Sequence, residues 1–249
     1  MNKEEKIKLD HIEEMIEQAK NKCSIYYTDF IPPSLWPVIE EKLSASDFII
    51  EKIILNQFCE YGILAMHPEY VEVFENDIPI EVLKIEMLNQ TNITHRDVLG
   101  AVMNQGIKRE KIGDIFIKDN DIYLIVMENM AQYIKNNLVK IKNSAVSIKG
   151  VDFEKIKDFT PNYKEKIISG NSLRFDLVLS KVFSLSRSDV QRMFLNNKVK
   201  RNHLMTNKYK TDLDEGDIVS LRGHGRFKLV EVLGTTRKGN IQIKVNLFY

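Results

Sequence analysis

Three observations predict an α+β chain built of three small domains. Apolar spacing switches repeatedly between helical and alternating periods along the chain. A central stretch reads strand, helix, strand, strand, helix, strand. The charge balance changes sign near residue 170. The length of 249 residues allows two or three separate cores. The expected boundaries are an N-terminal α/β domain at 1–75, a middle domain at 76–152, a linker at 153–169 and a C-terminal domain at 170–249.

The first domain opens with a helical pattern, Ile7, Leu9, Ile12, Met15, Ile16 and Ala19 among Glu and Lys. Thr28 and Asp29 can cap a helix, and Pro32-Pro33 forces an extended turn before the next one. Trp36 is expected to anchor that turn. With 7 Lys+Arg against 15 Asp+Glu, the domain repels polyanions.

In the middle domain, Ile78–Ile85 alternates like a strand. Thr94 opens a helix as N-cap, with Asp97 at its third position. Val98, Leu99 and Val102 supply the buried side, and Gly106 ends it. Gly113–Ile117 and Ile122–Val126 read as strands joined by Lys118-Asp119-Asn120-Asp121, which has hairpin composition. Asn129–Leu138 is a second helix and Ser144–Gly150 a last strand. This order is ferredoxin-like, the fold that also serves RNA recognition motifs (RRM-like). Phe116 and Tyr123 would stand on its central strands, where aromatic rings can stack bases, although no RNP-type sequence is present.

Asp152–Ser169 is rich in Lys and Asp with few apolar anchors, hence the linker. Beyond it, Phe175, Val178, Leu179 and Val182 recur on one helical stripe. Ser186 caps a second helix with Asp189 three residues on, and Val190, Met193 and Phe194 are its buried side. Strands are expected at Asp217–Arg222, Arg226–Leu233 and Asn240–Phe248. From Arg174 onward there are 15 Lys+Arg against 7 Asp+Glu, leaving 21 against 28 elsewhere. Such a concentration of positive charge steers polyanions.

The cationic side chains cluster around the two helices and the adjoining turns. Arg187, Ser188, Gln191 and Arg192 lie off the apolar stripe, and a helix N-terminus with hydroxyls and arginine forks suits a phosphate oxygen. Arg222, His224 and Arg226 flank two glycines, so a tight loop can approach a backbone. The joint pattern resembles the RNA-binding domain of small-subunit ribosomal protein four, here the S-four domain. It comprises Arg174-Phe175-Asp176, Leu185-Ser186-Arg187-Ser188, Lys198-Val199-Lys200-Arg201-Asn202, Glu215–Phe227 and Gly234–Gly239. Asn197 replaces the usual turn glycine, and asparagine tolerates positive φ. Together the cluster and the resemblance give the expected RNA-binding residues: Arg174, Ser186, Arg187, Ser188, Gln191, Arg192, Lys198, Lys200, Arg201, Asn202, Arg222, His224, Arg226, Arg237 and Lys238.

Several chemistries find no support. Cys23 and Cys59 have neither metal nor disulfide-framework spacing, and the five histidines are scattered. His95-Arg96-Asp97 lacks the other kinase motifs, and there is no G-x-G-x-x-G or P-loop. Arg174-Phe175-Asp176 is faintly like a pseudouridine-synthase motif without the catalytic domain such enzymes carry. Met1–Lys6 is not a signal peptide and no apolar run reaches membrane length. The expectation is a cytoplasmic protein with buried thiols, no cofactor and no metal.

The whole chain resembles the YlmH family of bacterial RNA-binding proteins. The matching residues are Thr28-Asp29-Phe30 with the following prolines, Thr94–Ala101, Gly106–Ile115 and the C-terminal motifs above. The N-terminal domain departs from the family pattern at Glu60–His67. The resemblance implies a non-enzymatic protein of the large ribosomal subunit that contacts rRNA and peptidyl-tRNA, without membrane or small-molecule partners. It further implies a part in quality control of stalled complexes. An RNA-modifying enzyme and a cell-division scaffold are the alternatives.

Overall fold

The structure, a computed structural model, describes residues 3–43, 48–89, 93–118 and 121–248. It divides into two units, Met1–Thr160 and Pro161–Tyr249.

In the first unit, helix α1 (Lys3–Lys22) buries Leu9, Ile12, Ile16 and Ala19, while Ile7 is exposed. Strand β1 (Tyr26–Tyr27), helix α2 (Trp36–Leu43), β2 (Ile49–Ile53) and β3 (Ile63–His67) follow, and the strands pair antiparallel in the order β1-β3-β2. Trp36 is buried in the same core as Ile31 and Leu35. Thr28 and Asp29 cap no helix. The buried Thr28 hydroxyl accepts the Leu64 amide at 3.0 Å and Asp29 pairs with Lys111 at 2.6 Å.

The second sheet of this unit contains β4 (Ile80–Met87), β5 (Ile112–Lys118), β6 (Asp121–Met127), β7 (Lys140–Ile141) and β8 (Ser144–Val151). Its order, β5-β6-β4-β8-β7, is that of a ferredoxin-like sheet with one short added strand. Helices α3 (His95–Met103) and α4 (Glu128–Asn137) cover one face, burying Val98, Val102, Ala131 and Ile134 against Leu83, Ile85, Leu124 and Val126. Thr94 and Asp97 form the expected capping box. Asp119 and Asn120, the centre of the expected hairpin turn, lie outside the described residues.

The opposite face is where an RNA recognition motif would stack bases. Alternation places Phe116 and Tyr123 there, but Phe159 covers both rings, at 4.7 Å and 6.1 Å between centroids. Phe116 and Tyr123 are buried, so of the two roles open to such rings, base stacking and core, they take the core. Phe159 follows helix α5 (Glu154–Lys157). The Asn56 amide holds that segment, donating to the carbonyls of Ile156, Lys157 and Phe159 at 2.6–2.9 Å. The expected linker at 153–169 is therefore not one. Apart from Lys166 its Lys and Asp face water, and the apolar anchors Ile156 and Phe159 are too few for periodicity to register.

The same unit is joined at the family-type motifs. The Phe30 amide donates to Glu110 O at 2.9 Å. A Cβ on Gly113 would stand 2.8 Å from the Phe30 ring, so a side chain there would push that ring out of place. Asp114 accepts the amides of Glu60 and Tyr61 at 2.9–3.1 Å. Burial pushes its carboxyl up to about 6, against the pull of those amides. Arg109 lies over the Tyr61 ring at 4.0 Å.

The second unit opens with β9 (Tyr163–Gly170), inside the expected linker, which pairs along its whole length with β14 (Ile241–Phe248). Between them come α6 (Phe175–Phe183), α7 (Arg187–Leu195), β10 (Val199–Arg201), β11 (Leu204–Met205), β12 (Ile218–Leu221) and β13 (Gly225–Thr235). All neighbours in the sheet β11-β10-β12-β13-β14-β9 are antiparallel. Phe175, Val178, Leu179, Val190 and Phe194 of the helices pack on Val199, Val219, Phe227, Leu229 and Val245 of the sheet. The helices cover one sheet face only.

Candidate nucleic-acid interface

The expected surface is built on the α6–α7 pair. Helix α6 begins where its chain is pinned: the amides of Phe175 and Asp176 donate to Thr211 O and Tyr209 O, at 2.9 and 3.1 Å. Its end turns sharply at Ser184, which adopts φ 56°, and the Ser180 hydroxyl donates to Leu185 O at 2.6 Å. Phe175 and Phe194 meet edge-on at 4.9 Å and fix one helix against the other.

Two of the expected arginines converge on a residue outside the expected set. Asp176 is fully buried. Arg174 holds it with two parallel bonds, Nε to Oδ1 at 3.2 Å and Nη2 to Oδ2 at 3.0 Å. Arg187 reaches the same Oδ2 from the first turn of α7, at 3.4 Å. Bidentate pairing fixes a guanidinium plane that would otherwise sample many rotamers. The Arg-x-Asp spacing is visible in the sequence, but the inward turn of its carboxylate is not.

The α7 N-terminus differs from expectation. Ser186 caps it, accepting the Asp189 amide at 3.1 Å, and bonds Ser188 Oγ at 3.0 Å. Asp189 returns its carboxylate to the Ser186 hydroxyl and to Arg192, which together hold its pKa down. This helix end already has a negative group beside it, so the surface is one of hydroxyls and guanidinium forks rather than an open amide cradle. Ser188 and Arg192 are exposed and Gln191 is half-buried.

Of the remaining expected residues, Lys198 and Arg222 are exposed neighbours, the Arg222 amide donating to Lys198 O at 2.9 Å. Asn197 adopts φ 51°, the positive-φ turn its replacement of glycine required. His224, exposed beside the Phe183 ring, and Arg226, bonded to Ser220 Oγ at 3.1 Å, complete that end. Arg237 and Lys238 are exposed in the β13–β14 turn. The length of β13 beyond Arg226 places that turn roughly 30 Å away.

Arg201 and Asn202 belong to the framework instead. Arg201 bonds Asp214 at 2.8 Å, Asp217 at 2.6 Å and Asp212 O at 3.0 Å. Asn202 donates to Asp217 at 2.8 Å and accepts the Ile218 amide at 2.9 Å. Their partners lie 11 to 16 residues away, so no local pattern could announce that their donors are taken. Lys166, on the strand inside the expected linker, caps α6 by donating to Val182 O at 2.8 Å.

Among the described residues no group of three or more His, Cys, Asp or Glu could hold a metal ion, and no helix is long and apolar enough to cross a membrane. Cys59 is buried as expected, but Cys23 is exposed.

Comparison with known proteins adds three findings. Residues 74–155 match the family model described as "Putative RNA-binding domain in YlmH". The chain is 26% identical over 237 residues to the ribosome-associated protein quality control protein P2 of Bacillus subtilis strain 168, covering 95% of this chain and 92% of that protein. Among solved structures it is similar to the cell division protein ylmH from Streptococcus pneumoniae, with a TM-score of 0.54 and 23% identity. That match covers 64% of this chain and 97% of the other, and is a likeness of fold.

Proposed function

Since this chain belongs to the YlmH family, we propose that it is a non-enzymatic RNA-binding protein of the large ribosomal subunit. It contacts rRNA and tRNA and acts on stalled complexes that still carry peptidyl-tRNA. The observation that carries the reading is the Arg174–Asp176–Arg187 arrangement. A buried carboxylate presets two guanidinium groups on a surface that Arg192, Lys198 and Arg222 extend. Cations held in this way bind phosphates with little ordering cost. They read the shape and backbone of paired RNA, whose base edges lie in a deep groove. The name of the Bacillus subtilis relative supplies the ribosomal setting. Among its described residues the middle domain presents no open aromatic platform, and its capped, charge-balanced surface suits orientation against a second partner.

The test is a sucrose gradient probed for the protein after induced stalling. Sedimentation with the large subunit and with nascent-chain complexes is expected. Recovery mainly with small subunits, or at the top of the gradient at low salt, would refute the reading. Changed rRNA nucleosides in a deletion strain would favour an RNA-modifying enzyme instead.

A further inference from the structure

The six-stranded sheet of the second unit has a face that neither α6 nor α7 covers. Register and alternation define what stands on it. Val199, Val219, Phe227 and Val245 point to the helices, so their strand neighbours point away. One row crosses five strands: Lys200 opposite Ser220, Ser220 opposite Arg226, Arg226 opposite Phe248, and Phe248 opposite Tyr163. At strand spacing the row spans about 19 Å. Tyr163 and Phe248 meet edge-on at 6.3 Å, and Tyr163 is 41% exposed. Lys228 lies in the next row opposite Asn246. Two acidic residues share the face: Glu231 pairs with Lys244 at 3.5 Å, and Glu165 stands opposite Asn246, one same-face position along the edge strand from Tyr163.

We propose that this outer sheet face binds a single strand of RNA, stacking a base on Tyr163 and running its backbone along Arg226 and Lys200. The combination selects that class of ligand. Cations alone would take any polyanion, but an exposed ring beside them adds an interaction that only unpaired bases can make. A duplex keeps its bases stacked on one another and offers Tyr163 nothing. The inference rests on the RNA-binding reading above and adds a second surface to it. Lys200 and Arg226 then serve this face, whereas Arg174, Arg187 and Arg192 serve the helix face.

The experiment measures binding of the full chain to two probes, a labelled uridine dodecamer and a fully paired RNA hairpin. Tyr163→Leu should weaken the dodecamer about tenfold, the size of a single base–aromatic stacking interaction, and leave the hairpin unchanged. Tyr163→Phe should restore dodecamer binding. Arg226→Gln, which leaves the aromatic pair in place, should also weaken the dodecamer. Equal dodecamer affinity for wild type, Tyr163→Leu and Arg226→Gln overturns the proposal. So does wild-type binding of the hairpin without the dodecamer, or loss of subunit co-sedimentation with dodecamer binding intact, which would make the face a protein-binding surface. Failure of the wild type to bind either probe would instead defeat the RNA-binding reading itself.

Discussion

Asp176, with no solvent exposure, lies 3.4 Å from the guanidinium of Arg187 on the neighbouring helix. The carboxylate that Arg174 clamps from the other side thus links the start of α6 to the start of α7. In the proposed RNA-binding role, the two guanidinium groups that would meet phosphate are aimed by a carboxylate buried behind them.

Replacing Asp176 by Asn should cost the second unit about 1–3 kcal/mol, the usual loss when a buried charged hydrogen-bond acceptor is removed. It should also weaken hairpin binding, since Arg174 and Arg187 lose their fixed geometry. Urea unfolding together with anisotropy titration checks both. An Asn variant with normal RNA affinity would show that the clamp does not preset the arginines.

The double substitution Arg187→Ala, Arg192→Ala should leave the fold largely intact, because neither side chain belongs to the core. Affinity for paired RNA should fall. The slope of log affinity against log salt should become shallower by about two, roughly one for each phosphate that is no longer neutralised. Unchanged affinity with a native circular dichroism spectrum would return both residues to the solvated surface.

The domain boundary can be tested by truncation. A fragment from Pro161 to Tyr249 should unfold cooperatively and retain salt-sensitive RNA binding. One starting at Asn171 lacks β9, which leaves β14 with an unpaired edge and removes the Lys166 cap from α6. It should melt at lower temperature or aggregate. Equal melting temperatures for the two fragments would contradict the assignment of β9 to this unit.

Asp114 should give the first unit a pH dependence of unusual sign. Burial raises its folded-state pKa from 3.8 to about 6. The folded state therefore binds the proton more tightly than the unfolded state, and this residue's contribution to stability falls as pH rises from about 4 to 6. A shift of this size is on the order of 3 kcal/mol. Subtracting the urea-unfolding profile of Asp114→Asn from that of the wild type should expose the trend. A flat difference between pH 4 and 7 would rule it out.

Much of the architecture is legible in the residues. Phe175, Val178, Leu179 and Val182 sit on one helical stripe because a helix against a sheet must repeat at that spacing, and all four are buried. Thr94 with Asp97, and Ser186 with Asp189, pair within one helical turn. The strand beginning at Tyr163 is not legible, because lysines take its helix-side positions before Ile168, which alone reaches the core, so no apolar alternation marks it.

What the sequence determined by itself were features that depend on near neighbours: helix stripes, caps, the positive-φ turn at Asn197, the ferredoxin-like order and the positive charge of the last third. Only the tertiary structure decided which cations stay exposed and which are taken up by acids. Arg187 and Arg201 look alike in the chain, yet Arg201 is occupied by Asp214 and Asp217 while Arg187 remains more than half exposed. Likewise Tyr123 and Tyr163 are both strand aromatics, and only the arrival of Phe159 on the first buries it. The physical reason is the same in both cases. Periodicity places a side chain on a face of its own element, but whether that face meets water, an acid or another ring is settled by segments distant in sequence.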